Sequence, residues 1–447
     1  MIKSHNFKLV FYILLVMAIT ISIVFPYSYG NQDVFAAQDN VEKEIEKNIK
    51  FREKIGLNSN YEYVESLVKN KLEHKEKFSY IFSDDEYNSI NDRFAMQSDD
   101  IPKIQEYIEE NLKDVYGGLY IDQKDKGIIN IGFTKDITSD KKKEIKELYG
   151  DSNKIKFYKT ELTEERSLSL IEEIISYKSY FENEGIDIVS ISNDLKSGKI
   201  IIGIKNLEDN KTLKIFEIFD KKYLKVIEDN EEKLGEVTSK SKLRPIPGGA
   251  FIQTSGAQGC TVGFSAFDRT DSKMKLVTAG HCFLESGTTG SWYQGGTTST
   301  YKIGTYSDHN IDGKADAGLI TLTENNLTYW VYGNGDTEYI NLLGIESEYI
   351  VGGVACISAG NSNDISCGTI INANKTVDFV TSGVSYTISD MAQTNYTAVY
   401  GDSGGTIFDW DKDLLGIHSG GQSAEYFTKA RNVLAEFNLN LIFGGPK

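Results

Sequence analysis

Apolar residues recur at three- and four-residue spacing over Val41–Leu57 and Tyr61–Leu72. That period places one apolar stripe on a helix, so both stretches are predicted helices. Farther along, short β-like runs alternate with helical ones. Gly127–Phe133 is similar to Gly198–Ile204, and each is preceded by another strand candidate, Gly118–Asp122 and Ile186–Ser192 respectively. Each is followed by a helix candidate, Ser139–Leu148 and Thr212–Phe219, and then by a third strand candidate, Lys154–Tyr158 and Tyr223–Ile227. A helix candidate also precedes each set, Ile101–Leu112 and Glu164–Glu182. The same order of elements twice predicts two small α+β units.

Beyond Pro245 the pattern changes. Gly, Ser and Thr rise, charge density falls, and 29 of the 40 glycines lie there. Frequent glycine between short β-rich runs predicts an all-β sandwich or barrel. The charged, apolar-poor stretch at 231–244 reads as a linker. At the other end, Lys3 and Lys8 precede an apolar run from Leu9 to Phe25, and Val34-Phe35-Ala36 offers small residues where a signal peptidase reads. This predicts a secretory signal over 1–36, cleaved after Ala36. Retention of the run as a membrane anchor is the rival reading. The expected organisation is a signal over 1–36, a helical part over 37–100, α+β units and linker over 101–244, and a β-rich domain over 245–447.

The net charge of −17 disfavours a nucleic-acid partner, because phosphate contacts need clustered Lys and Arg. Cys260, Cys282, Cys356 and Cys367 all lie in the second half. An even number in an exported chain favours two disulfides, with three pairings open. No zinc-knuckle spacing is present, and neither a metal nor an organic cofactor is expected.

Three segments of the β-rich part carry chemistry. His281 stands in Thr278–Cys282, directly after the apolar strand Met274–Val277. Asp316 opens the apolar run Ala315–Ile320. Ser403 stands in Gly401-Asp402-Ser403-Gly404-Gly405. A serine hydroxyl needs a base to take its proton during attack. An imidazole titrates near neutrality and suits that task. A carboxylate on its far side fixes the tautomer and stabilises the imidazolium. The tight glycine turn can aim the backbone N–H groups of Gly401 and Ser403 at a developing oxyanion. The chain order His, Asp, Ser is that of the chymotrypsin-type triad.

On these motifs, residues 245–447 resemble a trypsin-fold serine protease of the bacterial streptogrisin and α-lytic protease branch. Ile246–Gly249 resembles the mature start, Gly416–Gly421 the strand that holds the substrate backbone, and Lys429–Phe437 the C-terminal helix. The resemblance implies two six-stranded β-barrels with the site between them. It implies disulfides Cys260–Cys282 and Cys356–Cys367. It implies that the upstream α+β units are a pro-region acting as folding chaperone and inhibitor. The expected fold class is therefore an all-β double barrel preceded by an α+β pro-region. One departure stands out. The loop between Cys356 and Cys367 has no basic residue, where the branch carries an arginine for the aspartate of the nucleophile turn, here Asp402. Backbone donors or a more distant cation must serve it.

His418 precedes the substrate-holding Ser419, Gly420 and Gly421. Gly416–Gly421 resembles the same strand in glutamate-specific members of the fold, where such a histidine donates to a substrate carboxylate. A glutamate preference is expected, with Thr397 as a second donor. Tyr400 instead suits an apolar or aromatic residue, which is the alternative. No acid occupies Ala398–Tyr400, which speaks against a basic preference. His309 is expected in a solvent-facing loop. The chain thus reads as a secreted, monomeric serine endopeptidase acting on peptides, with no stable membrane association after signal cleavage. A trypsin-fold toxin-like module of narrow or latent activity is the second reading, and a membrane-anchored structural protein the third. The Lys-, Asn- and Ile-rich composition points to a Gram-positive bacterium. No sortase-type tail stands near Pro446, and release into the medium is expected.

Overall fold

The computed structural model describes residues 40–230, 232–233, 242–255, 259–286, 290–323, 327–333, 339–346, 348–362, 364–381, 383–421 and 423–442. The signal segment over 1–36 and most of the linker lie outside them. Among the described residues no helix is long and apolar enough to cross a membrane.

The chain divides into two units. The first comprises residues up to Glu53 together with Leu57–Asp85. It contains most of a helix over 40–55, the helix Tyr61–Lys69 and a hairpin of Lys75–Lys77 with Tyr80–Phe82. Ile45, Val64, Leu67, Val68 and Ile81 form its core. Arg52 is buried and donates to the Asn58 and Ile81 carbonyls, while Asn48 Oδ1 accepts from Ile81 N. Those contacts satisfy buried polar groups that would otherwise cost stability.

The second unit holds everything else. Its α+β portion repeats one motif twice. Tyr116–Asp122 pairs antiparallel with Ile128–Phe133, which pairs parallel with Ile155–Lys159. Ile188–Asp194, Lys199–Ile204 and Leu224–Glu228 pair in the same two senses. The crossover helices are Ser139–Glu147 and Asp209–Ile218. The helix expected at Ile101–Leu112 is longer than its pattern suggested. It runs from Asp84 to Asn111 and carries Pro102 inside. Its first half is polar and buries little beyond Ile90, Phe94 and Gln97, so the apolar period there is faint. The helix expected over Glu164–Glu182 breaks at Tyr177 into Glu164–Ser176 and Lys178–Asn183.

The β-rich part forms two barrels. In the first, Gly259–Thr261 pairs with Phe251–Gln253, and Phe264–Asp268 pairs with Lys273–Thr278. These two segments are one strand bent at Val262–Gly263, and the bend closes a six-stranded ring. In the second, Val354–Ser358 pairs with both Thr406–Phe408 and Ile365–Thr381, closing another ring of six. The long strand Ile365–Thr381 reaches past its barrel. With Val384–Thr394 it makes a hairpin whose outer edge pairs with Ile188–Asp194, at Thr376↔Ile191 and Val377↔Ser190. The second α+β unit thus extends the barrel sheet by three strands. Lys178 Nζ reinforces the seam, 2.6 Å from Asp378 Oδ1 and 3.1 Å from Thr387 Oγ1. The long helix also reaches the second barrel. Phe94 meets Trp410 with centroids 5.1 Å apart, and Trp410 Nε1 donates to Asn91 Oδ1.

His309 lies in the strand Lys302–Asp312, not in a loop. Its Nδ1 is 3.0 Å from Tyr306 Oη and its ring packs on Phe283. The disulfides are Cys260–Cys282 and Cys356–Cys367.

Candidate active site

Strand Lys273–Thr278 delivers His281 to the start of a short helix, His281–Ser286. The strand Ala315–Leu322 pairs antiparallel with it, Thr278 opposite Gly318, so Asp316 arrives beside the histidine. Asp316 Oδ1 accepts from the His281 backbone N at 2.9 Å, and Oδ2 lies 2.9 Å from His281 Nδ1. Both side chains are almost fully buried. A carboxylate oxygen accepts, so Nδ1 carries the hydrogen and the Nε2 lone pair remains for a base. His281 Nε2 is buried without a hydrogen-bond partner. Asp316 N donates to Thr428 Oγ1 of the second barrel, and Thr428 Oγ1 is 3.2 Å from Ser419 Oγ. The acid is therefore clamped from both barrels.

Ser403 sits in the turn before the strand Thr406–Phe408. Thr261 ties this turn to the first barrel: its N donates to the Ser403 carbonyl at 2.7 Å, and its Oγ1 donates to the Gly401 carbonyl at 2.9 Å. Gly404 lies so close to the histidine-bearing segment that a Cβ there would come within 2.2 Å of Thr278 Oγ1 and 2.8 Å of Ala279 N. Only glycine permits that approach, at φ +86°. Gly401, at φ +90°, and Ser403 leave their backbone N–H groups unused among the described residues. Two adjacent unpaired donors beside a serine are what a developing oxyanion requires.

Asp402 is fully buried, and among the described residues its side chain pairs with no cation. Its Oδ1 accepts from Asn361 N at 3.1 Å and Ser362 N at 2.9 Å, and its Oδ2 accepts from Val399 N at 2.9 Å. Backbone donors thus replace the arginine missing from the Cys356–Cys367 loop, and two of them come from that loop. Burial raises the Asp402 pKa, and the three donors offset it only partly.

His418 departs from the expectation of a donor open to substrate. It is 3% exposed, its Nδ1 is 2.9 Å from Tyr396 Oη, and its Nε2 is 3.6 Å from Glu425 Oε2. Burial, with His281 nearby, drives its pKa down to about 3, so the ring is neutral at working pH. Ser419 and Gly420 are buried on the same strand, and Gly421 lies beside them against Ala424. Tyr400 is exposed. Thr397 is exposed too, with its N bonded to Ser366 Oγ. Tyr396, not Thr397, meets the histidine. The reading from sequence alone missed Tyr396, Glu425, Thr261 and Thr428. Each is brought in by long-range pairing; Thr261 lies in the Cys260–Phe264 segment, where only the cysteine was read for a role.

The sequence model of the Trypsin family matches residues 251–439. Serine protease 2 of Streptomyces fradiae is 31% identical over 180 residues, covering 39% of this chain and 94% of that protein. Streptogrisin-A of Streptomyces griseus is 28% identical over 195 residues, 43% of this chain. The chain spans 58% of the length of streptogrisin-A. Among solved structures, protease A of Thermobifida fusca is 26% identical, with 44% of this chain and 99% of that one covered and a TM-score of 0.37.

Proposed function

Because the chain belongs to the trypsin family of serine proteases, we propose that it is a secreted serine endopeptidase synthesised with its α+β units as a pro-region. The observation that carries this reading is the buried His281–Asp316 pair, with Nε2 left as a base, together with a turn whose Gly401 and Ser403 N–H groups are unused among the described residues. Ser403 Oγ attacks the peptide carbonyl carbon as His281 Nε2 takes its proton. The carbonyl electron pair moves to oxygen, where Gly401 N and Ser403 N receive it. Such a donor is worth about 10²–10³ in rate. The C–N bond then breaks, His281 returns the proton to the departing amine, and an ester to Ser403 remains. Water, deprotonated by the same imidazole, completes hydrolysis by the reverse sequence.

Secretion rests on the apolar leader and on two disulfides, which persist in oxidising surroundings. The pro-region role rests on the strand pairing that ties the second α+β unit to the barrel hairpin. The glutamate preference has less support, because Glu425 faces the histidine meant to receive the substrate acid.

Full-length protein secreted by an expression host is treated with a fluorophosphonate and assayed on denatured casein. Covalent labelling of one serine, lost together with casein hydrolysis in Ser403→Ala, is expected. Labelling that survives Ser403→Ala overturns the assignment.

A further inference from the structure

We propose that Asp390 is a positioning residue for Asp316: from the second barrel it fixes the turn of the first barrel that carries this acid. The inference deepens the endopeptidase reading and rests on it. Strands Lys302–Asp312 and Ala315–Leu322 form a hairpin in which Asp312 lies opposite Ala315 and Ile311 opposite Asp316. Gly313 and Lys314 make its turn, so the acid stands in the second pair of the ladder, and a tilt of the turn moves it. The second barrel grips this end of the hairpin at three places. Ser389 N and Ser389 Oγ both donate to the Gly313 carbonyl, at 2.7 and 2.8 Å. Asn432 Nδ2 donates to the Lys314 carbonyl at 3.3 Å. Asn310 Nδ2 donates to Glu436 Oε1 at 2.8 Å.

Asp390 organises the first two. In the strand Val384–Thr394, Ile388 faces Val377 and Met391 faces Lys375, so Ser389 and Asp390 together oppose Thr376. The extra residue is a β-bulge, a feature that re-aims side chains beside functional sites. Asp390 takes a left-handed φ of +55°, which Asp and Asn adopt more readily than other side chains. Its Oδ2 accepts from Asn432 Nδ2 at 3.2 Å, the same amide that reaches Lys314, and lies 3.5 Å from Arg431 Nη2. Its Oδ1 accepts from Lys429 Nζ, whose side chain is 1% exposed. Lys429 follows Thr428, whose Oγ1 accepts from Asp316 N. The Asp390 carboxylate is thus tied to the acid by two routes, one through Asn432 and the turn, the other through the strand that bears Thr428. The second route depends on charge. Burial draws the Lys429 pKa down to about 8, Arg431 and Lys314 push the same way, and Asp390 opposes them. Asp390 is the counter-charge that keeps the proton on Lys429 at neutral pH. Asn374 Oδ1 also accepts from this ammonium, at 2.8 Å.

The test uses full-length protein secreted by an expression host, as wild type, Asp390→Asn and Asn432→Ala, with the folded fraction of each read from circular dichroism. Asparagine keeps the left-handed conformation and an oxygen for Asn432 but withdraws the charge from Lys429. In Asp390→Asn, kcat on a peptide amide should fall about tenfold per folded chain, with KM within about twofold of wild type, as expected when a catalytic group is misplaced and binding is not. In the Ser403→Ala background, the far-downfield proton NMR line of His281 Nδ1–H should shift or broaden. Neither reading would move if Asp390 only stabilised the fold. A folded Asp390→Asn with kcat within about twofold of wild type, or with that line unmoved, overturns the inference and leaves the endopeptidase standing. Should Asp390→Asn fail to fold, Asn432→Ala decides: it cuts the route to Lys314 without removing a charge, and a wild-type kcat or an unmoved line there overturns the inference. Wild type that neither labels with a fluorophosphonate nor cuts refutes the endopeptidase reading itself, and the inference with it.

Discussion

Asp402 offers a way to separate a device for geometry from a device for stability. In Asp402→Asn one carboxylate oxygen becomes an NH2 group, which cannot accept. Its least costly placement faces Val399 N, leaving that one N–H orphaned where Oδ2 had accepted at 2.9 Å. An orphaned buried donor costs about 1–3 kcal/mol. The Asn361 and Ser362 bonds lose charge assistance, roughly another 1 kcal/mol each. Against this stands the relief of a buried charge. Because burial raises the Asp402 pKa in spite of all three donors, the charged form is less well housed in the fold than in water. The terms oppose, and the net change in stability should stay within about 2 kcal/mol. Activity should not be spared. The same three bonds pin the turn that aims Gly401 N and Ser403 N, and one misplaced oxyanion donor lowers kcat by about 10²–10³.

The assay is urea unfolding of Asp402→Asn in a Ser403→Ala background, which prevents autolysis, with kcat measured on Asp402→Asn alone. The linkage has a definite sign. A raised native pKa means that the folded chain holds a proton which the unfolded chain releases first. Wild-type stability from this group is therefore present at acid pH and declines as pH rises from the usual carboxylate range through the native value. The asparagine variant lacks that decline. A variant more than about 3 kcal/mol less stable, with kcat near wild type, would refute the reasoning, because it would make Asp402 a stability anchor alone.

Three further expectations are open to measurement. Asp316→Asn turns a donor toward His281 Nδ1 and favours the wrong tautomer, so kcat should fall about 10⁴-fold at neutral pH while urea unfolding shifts little. A kcat within tenfold of wild type would remove Asp316 from the triad. His418, with a native pKa of about 3 against the ordinary 6.5, leaves the unfolded chain holding the extra proton between those values. Stability should then fall on acidification through that window, by at most about 1.4 kcal/mol per pH unit from this group. In the Ser403→Ala background, His418→Gln should flatten the slope, and an unaltered slope would contradict the assignment. Lys178→Ala leaves Asp378, whose side chain is 11% exposed, without its cation. It should destabilise the full-length chain by about 3–5 kcal/mol in urea, and unchanged unfolding would show that the ion pair is solvent-screened.

What was legible in the chain follows from the range over which each feature is specified. The helix and strand periods of the two α+β units are local, and they stand close to where periodicity put them. The helix Asp84–Asn111 escaped because its first half buries only a few side chains against neighbours far away in sequence. The pairing of His281 with Asp316 was legible because that chemistry dictates residue type and chain order. The donors of Asp402 were not, since a backbone N–H leaves no mark on residue identity. Glu425 is the sharpest case. It lies seven residues after His418 and reads as an ordinary surface acid. It meets the histidine only because the chain reverses after Gly421 and pairs Gly420 with Tyr426, leaving Glu425 past the end of that ladder. A one-residue slip would turn its side chain to the opposite face of the sheet.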